Sequence, residues 1–306
     1  MKESNDQLLE ELRPRAFAIA YRMLGSVAEA EDVVQEALLQ VSKALEEGER
    51  IESPRAYVAT VTTRLAIDEL RSARARRETY VGEWLPEPIV LDTREDPERQ
   101  AEMADSLSLA FLVLLESLSP EQRAALLLHD VFDYDYAEIA EIIGKSEDNA
   151  RQLAVRARRN VDEGRPRFEA SKRKREELTA RFFAAAEEGD LAALEELLSE
   201  DVVLKGDGGG KAPALARALH GRDRVARALR NWMRQGERIP GLKLRRAEVN
   251  GQPGAIYTES DGAVIGAMAL DIADGKIQGI SSIVNPDKLR HLGPVGDVWA
   301  LLRSRD

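Results

Sequence analysis

Apolar residues recur at helical spacing from the start of the chain. Leu8, Leu12, Phe17, Ala20, Tyr21 and Leu24 form one stripe, which ends at a Gly25-Ser26 break. The next stripe begins near Ala28 and carries Val33, Val34, Ala37, Leu38, Val41 and Leu45, with Asp32, Gln35, Glu36 and Gln40 on the opposite face. Ser53-Pro54 predicts a third helix start, serine as the cap and proline in the first turn, and the pattern runs to a basic cluster of Arg71, Arg74, Arg76 and Arg77. Periodicity is then lost over 78–104, where Trp84-Leu85-Pro86-Glu87-Pro88 and an acidic run from Asp92 to Glu102 predict a linker. Helical spacing resumes at Asp105 to Ser117, and Ser119-Pro120-Glu121 opens a further helix. Two short helices follow, Tyr136 to Ile143 and about Glu147 to Val161, with Gly144 ending the first and Ser146 capping the second.

Beyond a basic stretch at 165–175 the pattern changes type. Leu178 to Leu198 is helical, and strand-like runs then appear at Val202 to Lys205, Leu242 to Val249, Ala255 to Thr258, Val264 to Asp271 and Ile277 to Val284. A helix followed by hairpins predicts an α+β domain. The expected division is therefore 1–77, helical; 78–104, linker; 105–164, helical; 165–175, basic linker; and 176–306, α+β. A length of 306 residues suits several separate cores.

Composition narrows the function. There is no cysteine, which excludes disulfide scaffolds, thiolate metal sites and thiol switches, and three histidines at 129, 220 and 291 are spread too widely for a metal site to be expected. The acidic N-terminus has no signal-peptide layout and no apolar run approaches membrane-helix length, so a cytoplasmic protein without membrane contact is expected. Net charge is -11, with 22 basic and 35 acidic residues up to position 170 against 22 and 20 after it. Bulk charge thus opposes DNA binding, and any such binding by the free protein should be weak and local.

The local exception is the segment from Tyr136 to Arg159, which fits a helix-turn-helix. Ala137, Ile139, Ala140, Ile143, Ala150 and Leu153 supply the apolar seam and Gly144 the turn. On the second helix Ala150, Leu153, Ala154, Ala157 and Val161 point inward. Arg151, Gln152, Val155, Arg156 and Arg159 remain for the major groove and phosphates.

With that element in place, the chain resembles an extracytoplasmic-function sigma factor, the promoter-specificity subunit of bacterial RNA polymerase. The resemblance to sigma region 2 lies in Ala30-Glu-Asp-Val-Val-Gln-Glu-Ala37 and in Ser53 to Arg71; that to region 4 runs from Ser119-Pro-Glu-Gln-Arg-Ala-Ala125 to Arg159. Residues 176–290 resemble the SnoaL-like branch of the NTF2-like cone fold. Trp84-Leu-Pro-Glu-Pro88, Asp207-Gly-Gly-Gly-Lys211 and Asn285-Pro-Asp-Lys-Leu289 resemble the markers of the group 41 sigma factors, in which this extension takes part in regulation. The implied fold is multidomain, two all-α sigma domains and a C-terminal α+β cone.

The implied partners are core RNA polymerase and promoter DNA, with a small-molecule ligand of the cone left open, and no cofactor or catalytic residue is expected. Asp32, Gln35 and Glu36 would dock on polymerase. Ser53, Tyr57, Arg64, Arg71 and Arg74 would read and melt the -10 element, with a flipped base held around Ser53 to Tyr57. Arg151, Gln152, Val155, Arg156 and Arg159 would read the -35 element. Trp84, Pro86, Asp207, Gly208, Gly209, Gly210, Lys211, Asn285, Pro286, Asp287, Lys288 and Leu289 would be regulatory. Asp207, His220, Trp232 and Tyr257 could line the pocket of the cone. Two other readings remain: an enzyme of the SnoaL-like type fused to a DNA-binding domain, and a ligand-responsive helix-turn-helix regulator.

Overall fold

The computed structural model describes residues 2–77, 79–91, 107–162, 172–237, 239 and 241–303. The acidic part of the expected first linker, most of the basic stretch at 165–175 and the side chain of Arg74 lie outside the described residues. The chain forms two compact units: residues 1–79 with 112–164, and residues 80–111 with 165–306.

In the first unit the helices are α1 (Lys2–Leu24), α2 (Val27–Glu46), α3 (Pro54–Arg77), α5 (Pro120–Asp130), α6 (Tyr136–Ile143) and α7 (Glu147–Asp162). Between α3 and α5 lies α4 (Leu109–Leu115), which begins in the second unit and ends in the first. Their ends follow the capping chemistry of the sequence. The Ser26 hydroxyl accepts from the Glu29 amide at 3.2 Å, Ser53 from Ala56 at 3.3 Å, and Ser146 from Asn149 at 3.3 Å. Ser119 with Gln122 and Asp135 with Glu138 form capping boxes, and Gly144 ends α6 in the left-handed conformation at φ 66°. Val33, Val34, Ala37 and Val41 bury one face of α2 against a core that includes Ile19, Met23, Val58 and Leu70.

The first block (α1–α3) and the second (α5–α7) share this unit. Arg123 of α5, 1% exposed, donates to the Met23 carbonyl of α1 at 2.6 Å and to the Leu115 carbonyl at 2.5 Å. Arg15 donates to the Tyr134 hydroxyl at 3.1 Å, and the guanidiniums of Arg15 and Arg22 sit 5.8 and 5.5 Å from the centre of the Phe132 ring. Burial lowers the Arg22 pKa to about 10.

Among the described residues the second unit has a seven-stranded mixed sheet in the order β1-β4-β5-β6-β7-β2-β3. The strands are β1 (Val90–Leu91), β2 (Leu198–Asp207), β3 (Leu219–His220), β4 (Lys243–Val249), β5 (Gln252–Thr258), β6 (Val264–Ala273) and β7 (Lys276–Ile283). Every pairing is antiparallel except β2 with β7. Helices α8 (Lys172–Glu188), α9 (Leu191–Leu197) and α10 (Arg222–Gly236) cover the sheet, with Phe182, Phe183, Leu194, Val225, Leu229, Met268, Leu270 and Ile280 in a common core. A short α11 (Val298–Arg303) closes the described chain.

Two differences from the expected organisation stand out. Helix α10 occupies a stretch where no helix was expected; its Val225, Ala226 and Leu229 are buried between exposed arginines. The described part of the expected first linker, 80–91, is not a free tether. It is packed into the second unit, where Val90 and Leu91 pair with Val249 and Glu248 as an edge strand. Leu85, Pro86, Glu87 and Pro88 are buried because the proline-rich run supplies apolar surface without extra amide donors to satisfy.

Candidate functional site

Three surfaces of the first unit carry the residues singled out in the sequence. On α2, Asp32, Gln35 and Glu36 are exposed together opposite the buried valine face, as 3.6-residue periodicity requires. On α7, Ala150, Ala154, Ala157 and Val161 are buried, while Arg151, Gln152, Val155, Arg156 and Arg159 are exposed on the other side. Val155, at 54% exposure, is an apolar residue set among cationic and amide side chains. Arg151 is held locally: it bonds Glu147 at 2.9 Å and lies 5.2 Å from the centre of the Tyr136 ring. Behind it Arg158 pairs with Asp130 and holds the turn between α5 and α6. Burial raises the Asp130 pKa, but the hydrogen bonds from Arg158 and His129 outweigh it and leave the carboxyl below its ordinary range.

The third surface is α3, and it is engaged. Arg64 donates from Nε to the Ile142 carbonyl at 2.9 Å and from Nη2 to the Glu141 carbonyl at 2.8 Å, so its guanidinium caps the C-terminal end of α6. Arg71 bonds Asp68 at 2.8 Å and Glu121 at 2.7 Å. Arg77 bonds Glu116 and, at 2.6 Å, the Leu24 carbonyl. Ser53 is exposed and spends its hydroxyl on the α3 cap; Tyr57 is half-buried four residues on. Two of the arginines expected at the -10 element therefore hold the two helical blocks together in the free protein.

The second unit brings all three marker strings to one place. Asp207, at the end of β2, is fully buried and accepts from the Tyr80 hydroxyl at 2.5 Å, the Leu85 amide at 2.8 Å and the Lys288 ammonium at 2.7 Å. Lys288, 6% exposed, also donates to the Leu85 carbonyl, and its ammonium stands 4.1 Å from the Trp84 ring centre. Asn285 donates to the Tyr80 hydroxyl at 2.7 Å, and its side-chain oxygen accepts from the Asp287 amide at 3.1 Å. Lys211 pairs with Asp287 at the surface. Burial first, and then the bond to Asp207, push the Tyr80 hydroxyl well above its ordinary pKa.

The glycines of this knot are required sterically. A Cβ on Gly208 would stand 2.2 Å from the Ala212 carbonyl oxygen, and one on Gly209, at φ 56°, would stand 2.3 Å from Nδ2 of Asn285. Pro86 and Leu289 are buried and Pro286 is half-buried.

Residues outside the marker strings complete the anchor. Tyr80 was not singled out, nor was Asn250, which accepts from the Ile89 amide at 2.8 Å and donates to the Leu107 carbonyl at 3.0 Å. Gln252 accepts from the Leu109 amide at 3.0 Å. The positive φ of Asn250, 54°, belongs to the Asn250-Gly251 hairpin turn between β4 and β5, a signal readable in the sequence as a turn but not as an anchor.

The expected pocket grouping is corrected. Trp232 and Tyr257 do line a cavity of about 590 Å³, but Asp207 and His220 do not. Asp207 is consumed by the Lys288 knot, and His220 lies exposed on the edge strand β3 in a shallow cleft with Arg222 and Arg224.

Comparison with known proteins agrees with this layout. Residues 8–76 match the model for Sigma-70 region 2, residues 108–161 that for Sigma-70 region 4, and residues 179–278 that for a SnoaL-like domain. The ECF RNA polymerase sigma factor SigJ of Mycobacterium tuberculosis is 43% identical over 291 residues, 91% of each chain. The probable ECF RNA polymerase sigma factor SigI of the same organism is 34% identical over 280 residues, 90% of this chain and 92% of that one. The crystal structure of M. tuberculosis SigJ superposes with a TM-score of 0.74 at 38% identity, covering 92% of this chain and 96% of that one. With both sigma regions, the fused SnoaL-like domain and full-length relatives in agreement, this chain belongs to the family of ECF RNA polymerase sigma factors.

Proposed function

We propose that the chain binds core RNA polymerase in the cytoplasm through Asp32, Gln35 and Glu36 and directs initiation at promoters read by two separate surfaces. The observation that carries this reading is the split character of α7, whose alanines are buried while Arg151, Gln152, Val155, Arg156 and Arg159 stand exposed on one side. Arginine can meet guanine bidentately, glutamine adenine, and the Val155 methyls suit a thymine methyl, each good pair discriminating by about 1–3 kcal/mol. The -10 surface is in a different state. Arg64 and Arg71 are bonded to α6 and α5, so reading the -10 element requires those bonds to exchange for DNA. The free protein is then a closed form in which -35 contacts are available and -10 contacts are not.

The second unit regulates that exchange in this reading. It holds 80–91 and 107–111, the parts of the chain that join the two sigma regions, through Asp207, Asn250 and Gln252. We read it as a binding rather than a catalytic domain, because neither Asp207 nor His220 reaches the cavity.

The test is transcription with purified chain and core enzyme on a promoter library. Promoter-dependent run-off products are expected, lost at least tenfold with Arg156→Ala; absence of such products with the wild-type chain refutes the initiation reading. Lys211→Ala, which removes only the surface pair with Asp287, should alter transcription without unfolding the protein. Wild-type output from it and from Asn285→Ala would refute the regulatory part.

A further inference from the structure

The cavity of the second unit has a definite chemistry. It is walled by α8, α10, α11 and the sheet, and its lining is largely apolar, with Trp232, Met233, Leu244, Ile265, Met268 and Val284 beside the Ser282 and Tyr257 hydroxyls. Its volume of about 590 Å³ falls in the range of small-molecule sites, and it is too large to be left by imperfect packing. Among the described residues, the charged ones that border it, Glu187 and Glu237, are both exposed and therefore stand where it meets solvent. Two carboxylates at the mouth repel an anion, and among the described residues no carboxylate lines the apolar wall to compensate a cation.

One polar group inside that wall is poorly used. The Tyr257 hydroxyl donates to the Met268 sulfur at 3.6 Å, a weak thioether acceptor on the same wall. Burial pushes its pKa well above the ordinary tyrosine value, so at neutral pH it is a neutral hydrogen-bond donor. A part-buried donor with such a partner gains from a better acceptor, and an apolar molecule gains from leaving water.

We infer that this cavity is a binding site for an uncharged, largely apolar small molecule that presents a hydrogen-bond acceptor to Tyr257. The inference rests on the binding reading of this domain and is independent of polymerase. The site selects first against charge, through the acidic mouth and apolar wall, and second for one acceptor within reach of Tyr257.

The test uses three probes with the same number of carbons: 2-undecanone, undecanoate and undecylammonium. Each is titrated calorimetrically into the full chain below its micellar concentration. The ketone should bind, and the two ions at least tenfold more weakly. Tyr257→Phe should weaken the ketone roughly three- to tenfold, the loss of one hydrogen bond, and leave the ions unchanged. Leu244→Trp, which fills the cavity, should abolish ketone binding, with circular dichroism confirming that both variants are folded.

Equal binding of the three probes, tighter binding of either ion, no binding of the ketone, or full ketone affinity in folded Tyr257→Phe would each overturn the ligand class. Recovery of a chemically altered ketone after incubation would instead overturn the binding reading on which it rests. None of these outcomes bears on promoter-dependent transcription, which separates failure here from failure of the initiation reading.

Discussion

The two units are both pinned by arginine or lysine against carboxylates and carbonyls, yet they use these bonds under opposite conditions. In the first unit, Arg64 and Arg71 are exposed residues whose bonds to α6 and α5 can be traded for water or phosphate at little cost. In the second, Asp207 and Lys288 are at 0% and 6% exposure, and neither charge has water to fall back on. The same interaction is a latch where it is wet and a structural knot where it is dry.

The largest effect should come from leaving the dry charge alone. Lys288→Met removes the ammonium and leaves the Asp207 carboxylate buried with the Tyr80 hydroxyl and the Leu85 amide, which should destabilise the second unit by about 3–5 kcal/mol in denaturant unfolding. Adding Asp207→Asn should recover part of that loss, because no net charge is then buried. A double variant no more stable than the single one would mean that packing around Trp84, rather than charge, holds the knot.

Within the first unit, Arg123 tests where the boundary between latch and knot falls. It is as buried as Lys288 but bonds chiefly to neutral carbonyls, those of Met23 and Leu115, with Glu116 at 2.8 Å as its carboxylate partner. Arg123→Met should cost about 1.5–3 kcal/mol of the stability of the first unit, the scale of hydrogen bonds to a charged group. Methionine fills the space without a charge. A loss as large as that of Lys288→Met would show that the first unit, too, depends on a dry ion.

Most of the helical architecture was legible because capping and periodicity agree. Ser53-Pro54, Ser119-Pro120 and the Gly144–Ser146 turn each mark a helix end that the structure has, and the alanine seam of α7 separates buried from exposed positions. The marker strings were legible as strings and opaque as a structure. Asp207, Leu85 and Lys288 are separated by 122 and 81 positions, and no local rule brings them together. The same distance concealed Tyr80, an unremarkable residue beside the Trp84 string.

Helix α10 was missed for a different reason. Its apolar face, Val225, Ala226 and Leu229, is narrow, and the five arginines spread along the helix lower its average hydropathy to that of a loop. The pocket residues were half legible. Trp232 and Tyr257 are aromatic and were credible as lining, whereas an acid and a histidine placed beside them followed chemical habit rather than strand alternation.

Breaking the latch should have a smaller effect on stability. Arg64→Ala removes the cap from the carbonyls of Glu141 and Ile142 and should cost the first unit about 1 kcal/mol, the worth of a wet helix-end interaction. The closed arrangement of the two blocks should loosen with it, read as faster proteolysis between α3 and α5 with α7 still folded. If the blocks stay closed, Arg123 rather than the exposed arginines is the true restraint.

The smallest effect isolates a single wet pair by pH. Burial raises the Glu121 pKa, but the hydrogen bond and charge of Arg71, together with hydrogen bonds from the Glu121 backbone amide and from Ser119, more than offset it and leave the folded value below the ordinary one. A depressed carboxyl stabilises the fold fully above its unfolded pKa and loses that contribution as pH falls through the folded value. The pair should therefore act above about pH 4.5 and fade below it. Because Arg71 is largely in water, the contribution should be only about 0.5 kcal/mol, shrinking with added salt. Glu121→Gln should remove this acid-dependent part of the unfolding free energy and leave the neutral-pH melting point within a degree or two of wild type. A much larger shift at neutral pH would move the Arg71–Glu121 pair from the wet class to the dry one and erase the contrast between the two units.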